Sequence, residues 1–186
     1  MSLEIYDEIF SGPEVNLYQM LDARDKRYAL QQALLKEFPS QTLLVVTMNI
    51  PGNIKNSTII MDTFERAIKQ MKATLPTEKI LHEQVIQADT GNEGFYVLDL
   101  PADDVKDMMI EIEEDAVQGR LYDLDVLKLD DQGKPSKLSR EDGKQMPRKC
   151  FVCNRNAKAC TRSRAHSDLE MKEAVARLII NNHGEE

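Results

Sequence analysis

The sequence predicts an α+β protein with a ferredoxin-like βαββαβ core. Two observations favour this class. Short apolar runs rich in β-branched residues alternate with longer stretches in which apolar residues recur at helical spacing. Pro and Gly residues separate these runs. We therefore predict one domain over 1–186, made of an N-terminal helix at 14–38, the core at 42–130, a basic Cys-containing loop at 131–167 and a C-terminal helix at 168–182.

The first half of the chain predicts one helix before the core and one inside it. Within 14–38, leucine and phenylalanine recur at four-residue spacing, and Pro39 ends the helix. The run 42–50 is short, apolar and β-rich and stops at Pro51, which is typical of a buried strand. Apolar residues again have helical spacing over 58–74, until a second proline ends that helix.

The second half of the core predicts two strands, a helix and a last strand. The strands 79–88 and 94–100 flank a turn that contains threonine, glycine and asparagine. Pro101 then opens a helix whose first turn is acidic, as the positive end of a helix favours. Gly119 ends this helix, and the alternating stretch 120–129 predicts the last strand of the core.

Composition and charge favour a cytoplasmic protein. The chain has 186 residues, of which 41% are hydrophobic and 30% charged, and its formal net charge is −8. This charge excludes a uniformly basic protein that coats nucleic acid, and no apolar run approaches the about 20 residues needed to span a bilayer. An odd number of cysteines does not make a disulfide framework. We therefore expect neither a nucleic acid nor a membrane as a partner.

The charge is segregated along the second half of the chain. Residues 99–131 include twelve acidic and three basic side chains, whereas 134–166 include ten basic and two acidic ones. Either these blocks are solvated faces that neutralise each other, or they form a site in which carboxylates hold a metal beside a phosphate-binding arm. Residue spacing is needed to distinguish the two interpretations.

The first candidate site is the Asp123-Leu124-Asp125 motif in the last predicted strand. Side chains at i and i+2 of a strand share a face, so both carboxylates project together. Mg²⁺ suits such a pair because it takes oxygen ligands from one or two carboxylates and from substrate phosphates. The alternative is a solvent-facing pair, or salt bridges to Arg120 and Lys128. We predict that Asp123 and Asp125 are catalytic and bind Mg²⁺.

The second candidate site is the loop at 49–56, between the first strand and a helix. Free backbone N–H groups, a glycine, a lysine and a helix N-terminus together favour a phosphate group, although an ordinary turn of this kind needs no ligand. The first and last strands of a ferredoxin-like sheet are not far apart, so we expect this loop to approach the acidic pair. The predicted substrate-binding residues of the loop are Asn49, Gly52, Lys55 and Asn56.

The third candidate site is the basic segment at 148–166. Arginine binds phosphates bidentately, and we predict that the substrate-binding arginines are Arg120, Arg148, Arg162 and Arg164. The same segment has the spacing C-x2-C-x6-C-x5-H, which offers a tetrahedral zinc set but fits none of the common zinc fingers well. Thiols buried without metal are the favoured alternative. The zinc ligands would be Cys150, Cys153, Cys160 and His166.

Taken together, these segments resemble the citrate lyase holo-acyl-carrier-protein synthase family, also called apo-citrate lyase phosphoribosyl-dephospho-CoA transferase. The motifs NIPG-x-x-KN, GRL-x-D-x-DV and C-x-R-SR-x-H rarely recur together, and the likeness covers roughly 15–180. The matching segments are 43–56 (LLVVTMNIPGNIKN), 119–127 (GRLYDLDVL), Ser139-Arg140, 148–167 (RKCFVCNRNAKACTRSRAHS), and Arg24, Arg27 and Gln31 of the first helix.

The resemblance implies a nucleotidyltransferase-type reaction. Its donor would be 2′-(5″-triphosphoribosyl)-3′-dephospho-CoA, and its acceptor a serine of the apo-acyl carrier protein, the gamma subunit of citrate lyase. Pyrophosphate would leave. Phosphoryl transfer depends on positioning and charge neutralisation, which suits the acidic pair and the arginines. Two other functions stay open: a non-enzymatic zinc-loop binding module for RNA or a protein partner, and an assembly chaperone for citrate lyase without catalysis.

Overall fold

A computed structural model describes residues 3–115, 118–140 and 146–181 of the chain. The strands are β1 (Thr42–Met48), β2 (Ile80–Ile86), β3 (Glu93–Leu98), β4 (Tyr122–Leu129) and β5 (Pro135–Lys137). The helices are α1 (Leu3–Ile9), α2 (Leu17–Glu37), α3 (Thr58–Thr74), α4 (Ala102–Asp115), α5 (Ala157–Ser163) and α6 (Asp168–Ile180). The strands form one antiparallel sheet in the order β2-β3-β1-β4-β5, so the predicted α+β class is confirmed.

The main apolar layer lies on one face of the sheet. Leu44 and Val46 of the central strand β1 point to this face together with Leu124 and Val126 of β4. They pack against the apolar sides of α3, α4 and α6. The sequences of these helices are amphipathic, because the apolar residues recur at the spacing that places them on the side facing the sheet.

A smaller apolar layer lies on the opposite face, under the C-terminal half of α2. Leu43 and Val45 of β1 pack there against Leu34 and Leu35 of α2. The N-terminal half of α2 extends away from this layer, and its Leu17 is 70% exposed. The predicted leucine stripe therefore marks a helix of which only one end is buried.

The N-terminal helix is shorter than the predicted 14–38, and a further helix, α1, precedes it. α2 begins after Asn16, whose side chain accepts a hydrogen bond from the Gln19 backbone N–H while the Gln19 side chain accepts one from Asn16. This reciprocal cap fixes the first turn of α2. Glu14 lies outside the helix and forms a β-bridge with Ile54, in the loop that the sequence predicts to bind phosphate.

The predicted strands and the helix before β4 are present in the predicted order, with shorter bounds. A 3₁₀ turn at Thr77–Lys79 delays the start of β2, and a second 3₁₀ turn at Gly119–Leu121 delays the start of β4. The C-terminal helix begins at Asp168 as predicted and is described to Ile180, whereas its predicted end at residue 182 lies outside the described residues.

The segment 131–167 is not the continuous loop that the sequence predicts. β5 pairs with β4 after a turn in which Gly133 has a φ of +72°, and α5 follows an Asn156 cap. A three-residue strand and a seven-residue helix are too short to show a periodic pattern. Residues 141–145 of this segment lie outside the described residues. No helix in the described part of the chain is long and apolar enough to cross a bilayer.

Candidate active site

A pocket of about 200 Å³ lies where β1 ends beside the start of β4. Thr47 of β1 is paired with Asp123 of β4, so the Asp123 carboxylate is at this end of the sheet. The loop that follows β1 supplies two of the predicted residues, Asn49 and Lys55, to the same pocket. We call this cavity the carboxylate pocket. Its other lining residues include Met20, Arg27, Thr90 and Asn92.

Two ammonium groups lie close together at the loop after β1, that of Lys55 in the loop and that of Lys172 on α6. The Lys55 ammonium donates a hydrogen bond to the Ile50 carbonyl at 2.6 Å. Burial lowers the pKa of Lys55, and the positive charge of Lys172 on α6 lowers it further. Gly52 has a φ of +80°, and a Cβ there would lie 2.5 Å from Cε of Lys172. Glycine therefore permits both the turn and the close approach of Lys172.

Asn56 holds the loop in place and does not line the carboxylate pocket. Its amide nitrogen donates to the Ala88 carbonyl and to Oδ1 of Asn92, both at 3.0 Å. The Asn92 amide donates back to Oδ1 of Asn56 at 3.1 Å. This pair joins the loop after β1 to the turn before β3, so the structure gives Asn56 a positioning role.

The two predicted catalytic aspartates each contact a cation from another segment. Nη1 of Arg148 donates to Oδ1 of Asp123 at 3.2 Å, and Lys137 of β5 forms an ion pair with Asp125. Burial, and then the negative charge of Asp123, raise the pKa of Asp125. Within the described residues, no third carboxylate or imidazole joins the two aspartates in a metal-binding group. Further ligands of a metal here would have to come from a substrate or from water.

Replacing Asp125 with asparagine is expected to raise thermal stability at neutral pH. Because the folded-state pKa lies above the ordinary value of 3.8, the ionised carboxyl destabilises the folded protein once the pH rises through the window between these values. Below 3.8 the carboxyl is protonated in both the folded and the unfolded state, so the penalty vanishes. We expect D125N to have a higher Tm than the unmodified chain at pH 7, with a difference that shrinks towards pH 3.

Asp131, an exposed acid later in the same acidic block, provides the matched control for this measurement. D131N removes the same charge from the same acidic block and should leave the Tm within the error at both pH values. A Tm for D125N at or below that of the unmodified chain at pH 7 would contradict the expected destabilisation by the Asp125 charge.

Glu113 of α4 is a buried carboxylate that connects several parts of the site. Its Oε1 accepts a hydrogen bond from the backbone N–H of Leu124 at 3.0 Å. It also forms ion pairs with both Arg140 and Arg148. Glu113 is not among the residues predicted from the sequence, although an acid four positions after Met109 on the buried stripe of a helix was the available signal.

Arg148 therefore lies between two carboxylates. Besides Glu113 and Asp123, its guanidinium contacts the Tyr122 carbonyl, to which it donates at 3.0 Å. The contact with Glu113 holds the guanidinium at the start of β4. Arg148 is thus the connection between the basic segment and the carboxylate pocket.

A groove of about 580 Å³ lies next to the carboxylate pocket, and we call it the cysteine-side groove. Arg120 borders it, donates a hydrogen bond to the Cys150 carbonyl at 2.5 Å and lies 5.8 Å from the Phe151 ring centre. Arg162 is exposed on α5 and is not among the residues that line the groove. The predicted substrate-binding residues in its lining are Asn49, Arg120, Arg148 and Arg164.

The three cysteines and His166 meet at one side of this groove. Their ligand atoms all lie within 4.8 Å of one another. Sγ of Cys153 is 3.5 Å from Sγ of Cys160 and 3.2 Å from Nε2 of His166. A hydrogen bond from the Arg155 guanidinium is the main cause that lowers the pKa of Cys153 to about 6.

Two further cations near the pocket, on α2 and α6, are not among the predicted site residues. Arg27 of α2 lines the carboxylate pocket and donates two hydrogen bonds to the buried Glu93, at 2.8 and 2.6 Å. The sequence feature that could have indicated Arg27 is a positive charge that interrupts the apolar stripe of the helix. Lys172 carries no such signal, because α6 contacts the loop after β1 only in the folded chain.

Cations grouped around a carboxylate at one end of a sheet are typical of enzymes that act on phosphate esters. Comparison with known families is more specific. The family model described as apo-citrate lyase phosphoribosyl-dephospho-CoA transferase matches residues 15–182. The chain belongs to this transferase family, which confirms the resemblance seen in the sequence.

Individual relatives agree with this assignment. The chain is 43% identical to a probable apo-citrate lyase phosphoribosyl-dephospho-CoA transferase from Streptococcus pyogenes serotype M18, over 93% of this chain and 90% of the relative. It is 30% identical to the apo-citrate lyase phosphoribosyl-dephospho-CoA transferase from Escherichia coli O7:K1, over 95% of both chains. It is also 34% identical to a Haemophilus influenzae protein named CitXG, over 92% of this chain and 36% of that protein.

Proposed function

We propose that this chain transfers the phosphoribosyl-dephospho-CoA group from 2′-(5″-triphosphoribosyl)-3′-dephospho-CoA to a serine of the apo-acyl carrier protein of citrate lyase. The family match over 15–182 is the observation that carries this proposal. The serine oxygen forms a bond to the α-phosphorus, the bond from that phosphorus to the bridging oxygen of the β-phosphate breaks, and pyrophosphate leaves. The serine proton passes to a base or to solvent.

The carboxylate pocket and the cysteine-side groove suit the two ends of this donor. Lys55, together with the Lys172 charge nearby, would neutralise the triphosphate beside Asp123, and the Asn49 amide would donate a hydrogen bond to it. Arg164 in the groove would bind a phosphate of the dephospho-CoA moiety. Arg120 and Arg148 border the groove from the start of β4 and would position the donor between the two cavities. Arg162 stays a predicted substrate-binding residue without a placement in either cavity.

Asp123 and Asp125 would hold Mg²⁺ together with the donor phosphates. The donor set fits this ion, because two carboxylates share one strand face and their like charges would be relieved by a cation between them. When bound, Mg²⁺ supplies charge neutralisation and Lewis acidity at the phosphate. Arg148 would hold the Asp123 carboxylate at the wall of the pocket, and Lys137 would hold that of Asp125, which is not among the residues that line the pocket.

We also infer that the core is ferredoxin-like and that the protein works in the cytoplasm. The strand order β2-β3-β1-β4, with one helix between β1 and β2 and another between β3 and β4, supports the fold. Cysteines kept as thiols support the location. Family membership favours a transferase over the non-enzymatic zinc-loop binding module.

Intact mass spectrometry of the carrier tests the function directly. Apo-carrier incubated with this protein, the triphosphoribosyl donor and Mg²⁺ should gain one phosphoribosyl-dephospho-CoA group, with one pyrophosphate released per carrier. A carrier with its acceptor serine changed to alanine is the control and should gain no mass. A carrier that binds this protein but stays unmodified would contradict transfer and support the assembly chaperone.

A further inference from the structure

The chain makes three successive turns between Cys150 and His166, and these turns bring the three cysteines and His166 close together. The first turn is closed by hydrogen bonds from the Cys150 N–H to the Arg155 carbonyl at 2.6 Å and from the Asn154 N–H to the Cys150 carbonyl at 3.3 Å. Asn154 has a φ of +57°, a left-handed conformation that asparagine tolerates better than most residues. This turn places Cys150 and Cys153 side by side.

The second and third turns add the other two side chains. Cys160 lies on α5, which ends where Arg164 adopts a φ of +47°. The Ala165 N–H then donates to the Cys160 carbonyl at 3.1 Å, and this bond turns the chain back so that His166 faces the thiols. Two of the four side chains, those of Cys150 and Cys160, are buried.

The spacing of the ligand atoms matches a tetrahedral metal site. With Zn–S bonds of about 2.3 Å and Zn–N bonds of about 2.0–2.1 Å, the edges of a zinc tetrahedron measure about 3.5–3.8 Å. The Cys153–Cys160 and Cys153–His166 separations are 3.5 and 3.2 Å, and every pair in the set lies within 4.8 Å. The two closest pairs would need to separate by only a few tenths of an ångström to reach these edges.

The chemistry of the set favours zinc over harder cations. Three thiolates and one imidazole are soft and borderline ligands, which select Zn²⁺ over Mg²⁺ or Ca²⁺. Four protein ligands leave no open position, as in structural zinc sites. Arg155 donates a hydrogen bond to Sγ of Cys153 at 3.3 Å, the kind of outer contact that orients a ligating thiolate.

We propose that Cys150, Cys153, Cys160 and His166 bind one structural Zn²⁺ ion per chain. The ion stabilises the folded form of the basic segment at 148–166, which lies beside the carboxylate pocket. Arg120 donates to the carbonyl of the ligand Cys150, and the Arg148 carbonyl accepts from the N–H of Ala157, the first residue of α5. Zinc therefore stabilises the backbone that carries Arg148 to Asp123. The binding of the ion itself does not depend on the proposed transferase function.

The test is metal analysis of the full-length chain, purified with a thiol reductant and without an affinity tag that binds metals. We expect about one zinc per chain by elemental mass spectrometry. After removal of zinc with a chelator, addition of Co²⁺ should give the sulfur-to-cobalt charge-transfer band and the visible bands of tetrahedral cobalt. Zinc below half an equivalent, or cobalt bands of an octahedral oxygen site, would overturn the proposal.

Two variants assign the ligands. C153S and H166Q change the two half-buried ligands and should each lower the zinc content or weaken zinc binding by at least tenfold in chelator competition. H82Q changes a histidine of β2 outside the cluster and should keep one zinc. Full zinc content in C153S and H166Q would overturn the ligand assignment. A zinc-free chain that forms a Cys153–Cys160 disulfide after the reductant is removed would overturn the metal site in favour of a redox pair.

Discussion

Replacing Asp123 with asparagine is expected to lower the rate of prosthetic-group transfer about 10²–10⁴-fold. The substitution preserves size and one acceptor oxygen but removes the negative charge at the wall of the carboxylate pocket. Charge stabilisation by a carboxylate-held metal contributes several kcal/mol to a phosphoryl-transfer barrier, and each 1.36 kcal/mol corresponds to a factor of ten. D125N should cause a loss of similar size. Single-turnover transfer to apo-carrier, followed by intact mass spectrometry, measures both effects.

Tm measurements on the same variants distinguish a loss of transfer activity from a loss of folding. D123N lies at a position that is 37% exposed, so its Tm should stay close to that of the unmodified chain, and D125N should be more stable at neutral pH. D131N, a change at an exposed position of the same acidic block, should leave the transfer rate at that of the unmodified chain. Full transfer activity in a correctly folded D123N protein would contradict a catalytic role of the acidic pair.

Replacing Glu113 with glutamine is expected to destabilise the folded protein by about 3–5 kcal/mol. The Glu113 side chain is 2% exposed and neutralises both Arg140 and Arg148, whose side chains are 12% and 30% exposed. Removal of the Glu113 charge leaves these two partly buried guanidinium groups without the carboxylate that they share. Urea-induced unfolding, followed by circular dichroism, gives the change in the free energy of unfolding.

The adjacent Glu114 provides a close control for this second prediction. It also forms an ion pair with Arg140, but its side chain is 56% exposed. Exposed ion pairs contribute little, so E114Q should cost less than about 1 kcal/mol. A cost for E113Q no larger than that for E114Q would show that the buried network does not stabilise the fold.

The core was predictable because its elements are long enough to show a period. β1 and β3 are apolar runs of seven and six residues, β4 alternates between apolar and polar residues over eight, and proline or glycine separates these strands from the amphipathic helices α3 and α4. α1, β5 and α5 span only three to seven residues, so no periodic pattern distinguishes them from loops. Tertiary contacts determine these short elements, as the pairing of β5 with β4 shows.

The candidate site was predictable only in part, for a related reason. Asn49, Lys55 and Asp123 lie at the ends of neighbouring strands, so the expected order of strands was enough to bring them close. The network around Glu113 joins residues far apart in sequence, for example Glu113 and Arg148, which are separated by 35 positions. Local spacing contains no information about such pairs.

The alternation of side chains along β4 couples the chemistry of the site to the folding of the sheet. Asp123 and Asp125 alternate with Leu124 and Val126, which belong to the main apolar layer. A slip of β4 by one residue against β1 would exchange the two sets and bury both carboxylates under the helices. Ionised carboxylates without partners are far too costly in such a place. The slipped register is therefore much less stable than the native one, in which both carboxylates lie on the face opposite the main apolar layer.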